Sequence, residues 1–393
     1  MNQQQLSPTG NTSEEILFKL IDDLAGKNVT PNISIGRNLS CGESADIYHG
    51  VYINQIHGSN LGNVTDVVIK TFRPPRRQYD AKYFKRISRE IRIWTQCQHR
   101  NILPLIGFTM KDLGGGLLIP SLVSKYMERG SLKDALDRKD EMDIKIMVEG
   151  IASSLLYLHE NRGIIHADLK SPNVVLSPEG DPLLMDFGLS HMRSTITQYA
   201  ETATSAGCGS IRWMAPEQFG SALGTGEDQI HTKESDIWAL GMVFYEILTN
   251  HLPYYQEALS HRIIIKISDG ELPSVPDVDE RDPATNHIWD LCFDCWKREP
   301  GERPKIRDID YRLAAKHKVM KMKAFEHSTP QSMRISRRRT RQSTIRPFRT
   351  SGGEDQWVDI SPVSRTNSSP FLSEQDKEDM TPLTQRFRQP WLS

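Results

Sequence analysis

The period of the apolar residues changes near Gly130, and that change restricts the chain to a two-part architecture. Before it, Ile47 to Ile53 and Val64 to Thr71 form short β-branched runs parted by a polar stretch that holds Gly58 and Gly62. With Ile33 as its start, this region reads as an antiparallel meander. Tyr83 to Gln98 carries a helical repeat, and Leu117 to Tyr126 is an apolar run behind the turn signal Gly114-Gly115-Gly116. One helix among strands makes a small α+β lobe. After Gly130 the helical period dominates, in Ser131 to Leu136, Ile144 to Glu160, Ser235 to Asn250, His261 to Asp269 and His287 to Lys297. The second lobe is expected to be mainly helical.

The two ends differ from this body. Thr12-x-x-Glu15 has the capping-box pattern, and Ile16, Leu17, Leu20, Ile21 and Leu24 share one helical face, so residues 1–32 are expected to form an extension with a short amphipathic helix stopping near Gly26. Past Ala315 the apolar period fades into Ser, Thr, Arg and Pro, too little apolar surface to offset the entropy of ordering, so residues 316–393 are expected to be a disordered tail. The whole chain is nearly neutral, with 49 basic and 50 acidic residues, but 15 of the basic and only 8 of the acidic ones follow Ala315. An acidic body therefore precedes a basic tail, and no direct nucleic-acid binding is expected of the body. Arg334, Arg337, Arg338, Arg339, Arg341, Arg346 and Arg349 have no acid between them. They suit nuclear import, an anionic-lipid contact, phosphorylation at Ser336, Thr340, Ser343 and Thr344 among them, or contact with a partner or with the body, and a plain solvated tail accounts for them about as well. No run approaches the roughly 20 apolar residues of a membrane helix, the Gln-rich start lacks a secretory signal, and an odd count of 5 cysteines suits reduced thiols. The expected location is cytoplasmic.

Chemistry concentrates in His166-Ala167-Asp168-Leu169-Lys170-Ser171-Pro172-Asn173, with Asp186-Phe187-Gly188 eighteen residues after Asp168 and Ala215-Pro216-Glu217 beyond it. A lone Asp-Phe-Gly is an ordinary turn. In this order and spacing the set resembles the eukaryotic protein kinase family. Upstream, Val67-Val68-Ile69-Lys70 looks like the family's ATP-lysine strand, with Glu90 in the next helix, and the resemblance runs from about Ile33 to Ala315. It implies a bilobal α+β protein kinase fold: an antiparallel N-lobe with one main helix over 33–127, a mostly helical C-lobe over 128–315, and ATP between them. The implied roles are phosphate binding by Lys70 held by Glu90, proton acceptance by Asp168, contact of Lys170 with the transferred phosphoryl group, and magnesium ligation by Asn173 and Asp186. Leu39, Gly42, Ala45, Ile47, Val68, Lys125, Met127 and Val175 would surround the nucleotide, although strand core explains the apolar ones nearly as well. Glu217 and Arg303 resemble the family's buried ion pair, and Asp236 its acceptor of catalytic-loop N–H groups.

Lys170, Gly209-Ser210-Ile211-Arg212-Trp213-Met214, Gly130-Ser131-Leu132 and Cys295-Trp296 look most like the tyrosine-kinase-like branch of serine/threonine kinases. Phosphorylation of protein serine or threonine follows as the expected activity. Two departures point to the alternative, a pseudokinase that binds nucleotide or scaffolds: Ser40 and Ala45 replace two of the three loop glycines, and Ala167 stands where most regulated kinases carry an Arg that pairs with a phosphorylated residue. Ser194, Thr195, Thr197, Tyr199, Thr202, Thr204 and Ser205 are either phosphorylation sites or a polar loop. Cys292-x-x-Cys295 lies in an apolar helix and reads as buried thiols rather than a metal pair.

Overall fold

The computed structural model describes residues 25–41, 45–54, 63–73, 81–112, 118–187, 191–192, 210–219, 231–277 and 281–315. These lie in the first of two compact units, Met1–Ser328; the second is Thr329–Ser393. The helix expected over Thr12 to Leu24, the Arg-rich tail, Gly42 and the candidate phosphorylation sites lie outside the described residues.

Five strands make the first lobe: β1 (Ile33–Cys41), β2 (Ala45–Asn54), β3 (Asn63–Phe72), β4 (Leu105–Asp112) and β5 (Leu118–Lys125), in the order β1-β2-β3-β5-β4 with every neighbouring pair antiparallel. The β2–β3 ladder runs unbroken from Ala45↔Phe72 to Asn54↔Asn63. Because strand side chains alternate, the sheet has two distinct faces. Val67, Ile69 and Val123 form a small core on one face with Val29, Ile33, Tyr48, Tyr52 and Ile106. Residues 47, 68, 70 and 72 take the other face, because Ile47 is paired with Lys70 and Val68 and Phe72 lie two residues either side of it. Strand β4 has no counterpart in the sequence reading: a register shift between Leu105 and Gly107 breaks its alternation. Gly107 is needed there because a Cβ would come within 2.2 Å of the Lys27 carbonyl oxygen, where the chain before β1 crosses it.

Helix α1 (Ala81–Gln96) buries Phe84, Ile87, Ile91 and Trp94, a stripe at helical spacing. In the second lobe, α2 (Leu132–Arg138) starts at a capping box between Ser131 and Asp134, and α3 (Ile144–Leu156) starts at Asp143, whose carboxylate accepts from Lys145 and Ile146 N–H. The apolar period runs on without a break to Glu160. Instead a π-helical turn, Tyr157–Arg162, ends at Gly163 with φ 65°; a local widening of this kind leaves the apolar period almost unchanged and is invisible to it. Short strands β6 (Ile164–Ile165), β7 (Val174–Leu176), β8 (Pro182–Leu184) and β9 (His191–Met192) follow, then α4 (Lys233–Thr249), α5 (Ser260–Ser268), α6 (Asn286–Cys295) and α7 over 306–315.

Helix α4 is buried without interruption from Ser235 to Ile247, so it has no solvent face and serves as the post around which the lobe packs. Cys292 and Cys295 are fully buried on α6, and burial pushes both thiols upward in pKa. Arg303 closes the lobe. It makes a two-pronged pair with Glu217, at 2.6 and 2.8 Å, and gives its remaining N–H groups to the carbonyls of Glu234, Lys297 and Arg298. All five donors of a buried guanidinium are thereby satisfied. Arg303→Leu should lower the unfolding free energy by about 3 kcal/mol, the scale for breaking a buried pair; a urea midpoint equal to that of the parent chain would contradict this assignment.

Candidate active site

Two clusters of charged side chains face each other where the lobes meet. In the first, β3 presents Lys70, whose Nζ lies 3.0 Å from Glu90 Oε1 on α1 and 2.7 Å from Asp186 Oδ1 just past β8. Burial works to lower the Lys70 pKa, but Asp186 and Glu90 outweigh it and the net shift is upward, so the ammonium stays charged. Asp186 adopts φ 69°, in the left-handed region. Phe187 holds it there from behind: its fully buried ring sits 5.9 Å from Trp94 and 5.6 Å from His166. Trp94 is itself fixed by donation of its indole N–H to the Leu103 carbonyl at 2.6 Å.

The second cluster stands on the loop between β6 and β7. Asp236, buried on α4, accepts from the backbone N–H of His166 at 2.8 Å and of Ala167 at 2.9 Å, and its Oδ2 lies 2.8 Å from His159 Nε2. Burial alone would raise the Asp236 pKa; the His159 hydrogen bond, both histidines and the backbone donor reverse that and lower it. Ala167 is thereby held at φ 67°, a conformation that costs an alanine about 1–2 kcal/mol. Beyond this bend, Ser210 Oγ donates to Asp168 Oδ1 at 2.7 Å and accepts from Lys170 Nζ at 2.7 Å, while Lys170 Nζ also lies 2.8 Å from Asp168 Oδ2. Asn173 Nδ2 donates to the Asp168 carbonyl at 2.8 Å and to its carboxylate at 3.0 Å.

The structure therefore brings together Lys70, Glu90 and Asp186, and separately Asp168, Lys170 and Asn173. The Met185 N–H donates to the Asn173 carbonyl at 2.9 Å, which sets Asp186 beside Asn173. Ile47, Ala45 and Val68 share the Lys70 face of the sheet; Met127 and Val175 are buried, and Lys125 ends β5 exposed. Leu39 is 37% exposed on β1, between Asn38 and Ser40, which pair with Tyr48 and Ile47 of β2. Ala45 is not among the described residues with positive φ, and it is buried opposite Phe72. Its backbone is thus an ordinary strand that needs no glycine. Beside it Asp46 is tied to Arg73 at 2.5 Å, an interaction that lowers its pKa.

This constellation agrees with a family comparison: the protein kinase domain model matches residues 49–313. The chain belongs to the protein kinase domain family. A serine/threonine-protein kinase STY17 from Arabidopsis thaliana is 26% identical over 284 residues, covering 70% of this chain and 43% of that protein. The serine/threonine/tyrosine-protein kinase HT1 of the same plant is 27% identical over 282 residues, 70% of this chain and 64% of its own. The tyrosine-protein kinase HTK16 of Hydra vulgaris is 27% identical over 283 residues, 71% and 34%. The chain spans less than two thirds of the length of each of these relatives. Its motifs and relatives are those of a tyrosine-kinase-like eukaryotic protein kinase.

Two residues of this kinase site escape a reading by motif. Ser210, which joins Asp168 to Lys170, carried a signal in the Gly209-Ser210 pair but no individual role. Glu246, ten residues along α4 from Asp236, carried none. Fully buried, it accepts from Ser171 Oγ at 2.6 Å and from the Trp213 indole N–H at 2.7 Å, so it ties the catalytic loop to the segment after Ser210. Burial pushes its pKa up to about 7, against the partial opposition of those two donors. Divalent metal chemistry fits the donors present. Among the described residues no three His, Cys, Asp or Glu gather as a metal site, and Asp186 with Asn173 would supply two hard oxygens, leaving the rest of a magnesium shell to phosphate and water.

The Glu246 shift predicts a sign. Its carboxyl holds a proton up to about pH 7 when folded but only to its ordinary value of 4.5 when unfolded, so it favours the folded state below that value and loses its contribution as pH rises to 7. Measured against Glu246→Gln, the parent should lose on the order of 3 kcal/mol of relative stability across that window. A difference independent of pH in denaturant titrations would rule the shift out.

Proposed function

We propose that this kinase domain transfers the γ-phosphoryl group of ATP to serine and threonine hydroxyls of protein substrates. The observation that carries the reading is the Ser210 hydroxyl held between Asp168 and Lys170: a small aliphatic hydroxyl already fits between the base and the cation. In this reading Asp168 accepts the proton of the substrate hydroxyl, and Lys170 offsets charge on the transferred phosphoryl group. Lys70, oriented by Glu90, binds the non-transferred phosphates. Asn173 and Asp186 would hold Mg2+, which would supply positive charge to offset that of the phosphates. In this reading the adenine of ATP lies between Ile47 and Val68 above and Val175 below, with Leu39, Gly42 and Ala45 also around the nucleotide, and its edge faces Lys125 to Met127. Relatives named as serine/threonine kinases support the same hydroxyl class, whereas one named as a tyrosine kinase, at similar identity, points to the other.

The same proposal sets the kinase lobes at 33–127 and 128–315, between the 1–32 extension and the 316–393 tail. It places the protein in the cytoplasm, where Cys97, Cys292 and Cys295 remain buried thiols. No helix of the described residues is long and apolar enough to cross a membrane.

Purified chain, labelled ATP, magnesium and a generic basic protein make the test. Asp168→Ala and Lys70→Met should each lower label transfer by about 100-fold or more, with phosphoserine and phosphothreonine recovered from the parent reaction. Equal transfer by all three proteins, or phosphotyrosine as the main product, would overturn the reading. ATP binding by a parent chain that transfers no label would favour the pseudokinase instead.

A further inference from the structure

The segment from Ser210 to Trp213 is pinned at three points, and two of them have been described: Ser210 to Asp168 and Lys170, and Trp213 to Glu246. The third is Arg212, which plays no part in the chemistry proposed above. Its Nη1 donates to the carbonyl oxygens of Pro253 at 2.8 Å and Tyr254 at 2.7 Å, and its Nη2 to that of Glu257 at 2.8 Å. All three acceptors lie in the loop that joins α4 to α5. Among the described residues Arg212 forms no ion pair, so its charge is given to backbone dipoles.

That loop has reasons to need a cation. Tyr254 adopts φ 54° although it is not glycine, and Asn250 at the loop's start adopts φ 59°. Tyr254 is buried and its hydroxyl donates to the Glu271 carbonyl at 3.0 Å, so its side chain is committed as well. Three carbonyl oxygens aimed at one point repel each other, and a cation among them offsets that repulsion. A planar guanidinium serves three of them at once, which a compact ammonium does less well. Desolvation at this position lowers the Arg212 pKa without discharging it.

We infer that Arg212 is a positioning residue that locks the acceptor-binding segment to the α4–α5 loop and so sets affinity for the protein substrate. The inference rests on the phosphoryl-transfer reading, since Ser210 stands two residues before Arg212 and touches the groups that would receive the substrate hydroxyl. The residues proposed above to hold the nucleotide are not among the Arg212 acceptors, which are Pro253, Tyr254 and Glu257.

The test uses the full chain with Arg212→Ala and Arg212→Lys. Arg212→Ala, which loses all three carbonyl hydrogen bonds, should raise KM for the basic acceptor protein by about tenfold or more, a fraction of what those bonds contribute, with KM for ATP changing less than about twofold. Amide exchange across 253–257 should quicken, and low millimolar guanidinium chloride should recover part of the lost acceptor affinity by refilling the space. Arg212→Lys should fall between, and it carries the test if the alanine variant does not fold. An unchanged acceptor KM, or equal increases for acceptor and ATP, would overturn the inference. If the parent chain transfers no phosphate, the functional reading fails, while amide exchange still decides the anchor: faster exchange in the variants supports it and unchanged exchange removes it.

Discussion

Asp236 carries a negative charge into the middle of the helical lobe, and the geometry of the catalytic loop depends on how that charge is satisfied. A buried carboxylate is costly unless donors replace the water it has lost. Here the replacements are the His166 and Ala167 N–H groups and His159. The requirement runs in both directions. The carboxylate needs those donors, and they reach it only if Ala167 takes a left-handed conformation that turns the chain so that Asp168 faces Ser210 and Lys170. Helix α4 can impose this because it is buried along its length and cannot shift to relieve the strain.

The link between the lobes is of another kind. Lys70 shares one ammonium between Glu90 and Asp186, so a strand, a helix and a loop far apart in sequence meet at a single charge. Glu90 is buried, and the Lys70 cation offsets part of the cost of burying its carboxylate. Phe187 adds an apolar stack between Trp94 and His166 that fixes the Asp186 side of this arrangement. The Ser40 and Ala45 departures are milder than they look in the sequence: the strand at Ala45 has ordinary dihedrals, and the Asp46–Arg73 pair secures the end of the β2–β3 ladder.

Much of this was legible in the residues. Strands β2, β3 and β5 and helices α1 to α6 follow the apolar period to within about two residues at most ends, because burial on one face imposes it, whereas α7 has no counterpart in that period. Strand β4 and the π turn after α3 were not legible, since a bulge shifts the period and a widened turn hides within it. The same division holds at the site. Lys70, Asp168, Asn173 and Asp186 stand in short motifs whose order identifies them. Ser210, Glu246 and Arg212 act through contacts with residues 33 to 75 positions away, and no local pattern marks such a pairing.

From its sequence alone the chain resembles a two-lobe kinase domain with its charged chemistry in a few short motifs, since periodicity, motif order and spacing are properties of neighbouring residues. Only the tertiary structure decides which buried charges are balanced, and by what. A carboxylate on α4 becomes an acceptor for backbone N–H groups at Asp236 and a group with a pKa of about 7 at Glu246. An arginine two residues beyond Ser210 gives its charge to three carbonyls instead of an acid. The physical reason is desolvation: its cost depends on every atom that replaces water around a charge, and those atoms come from parts of the chain that meet only when it folds.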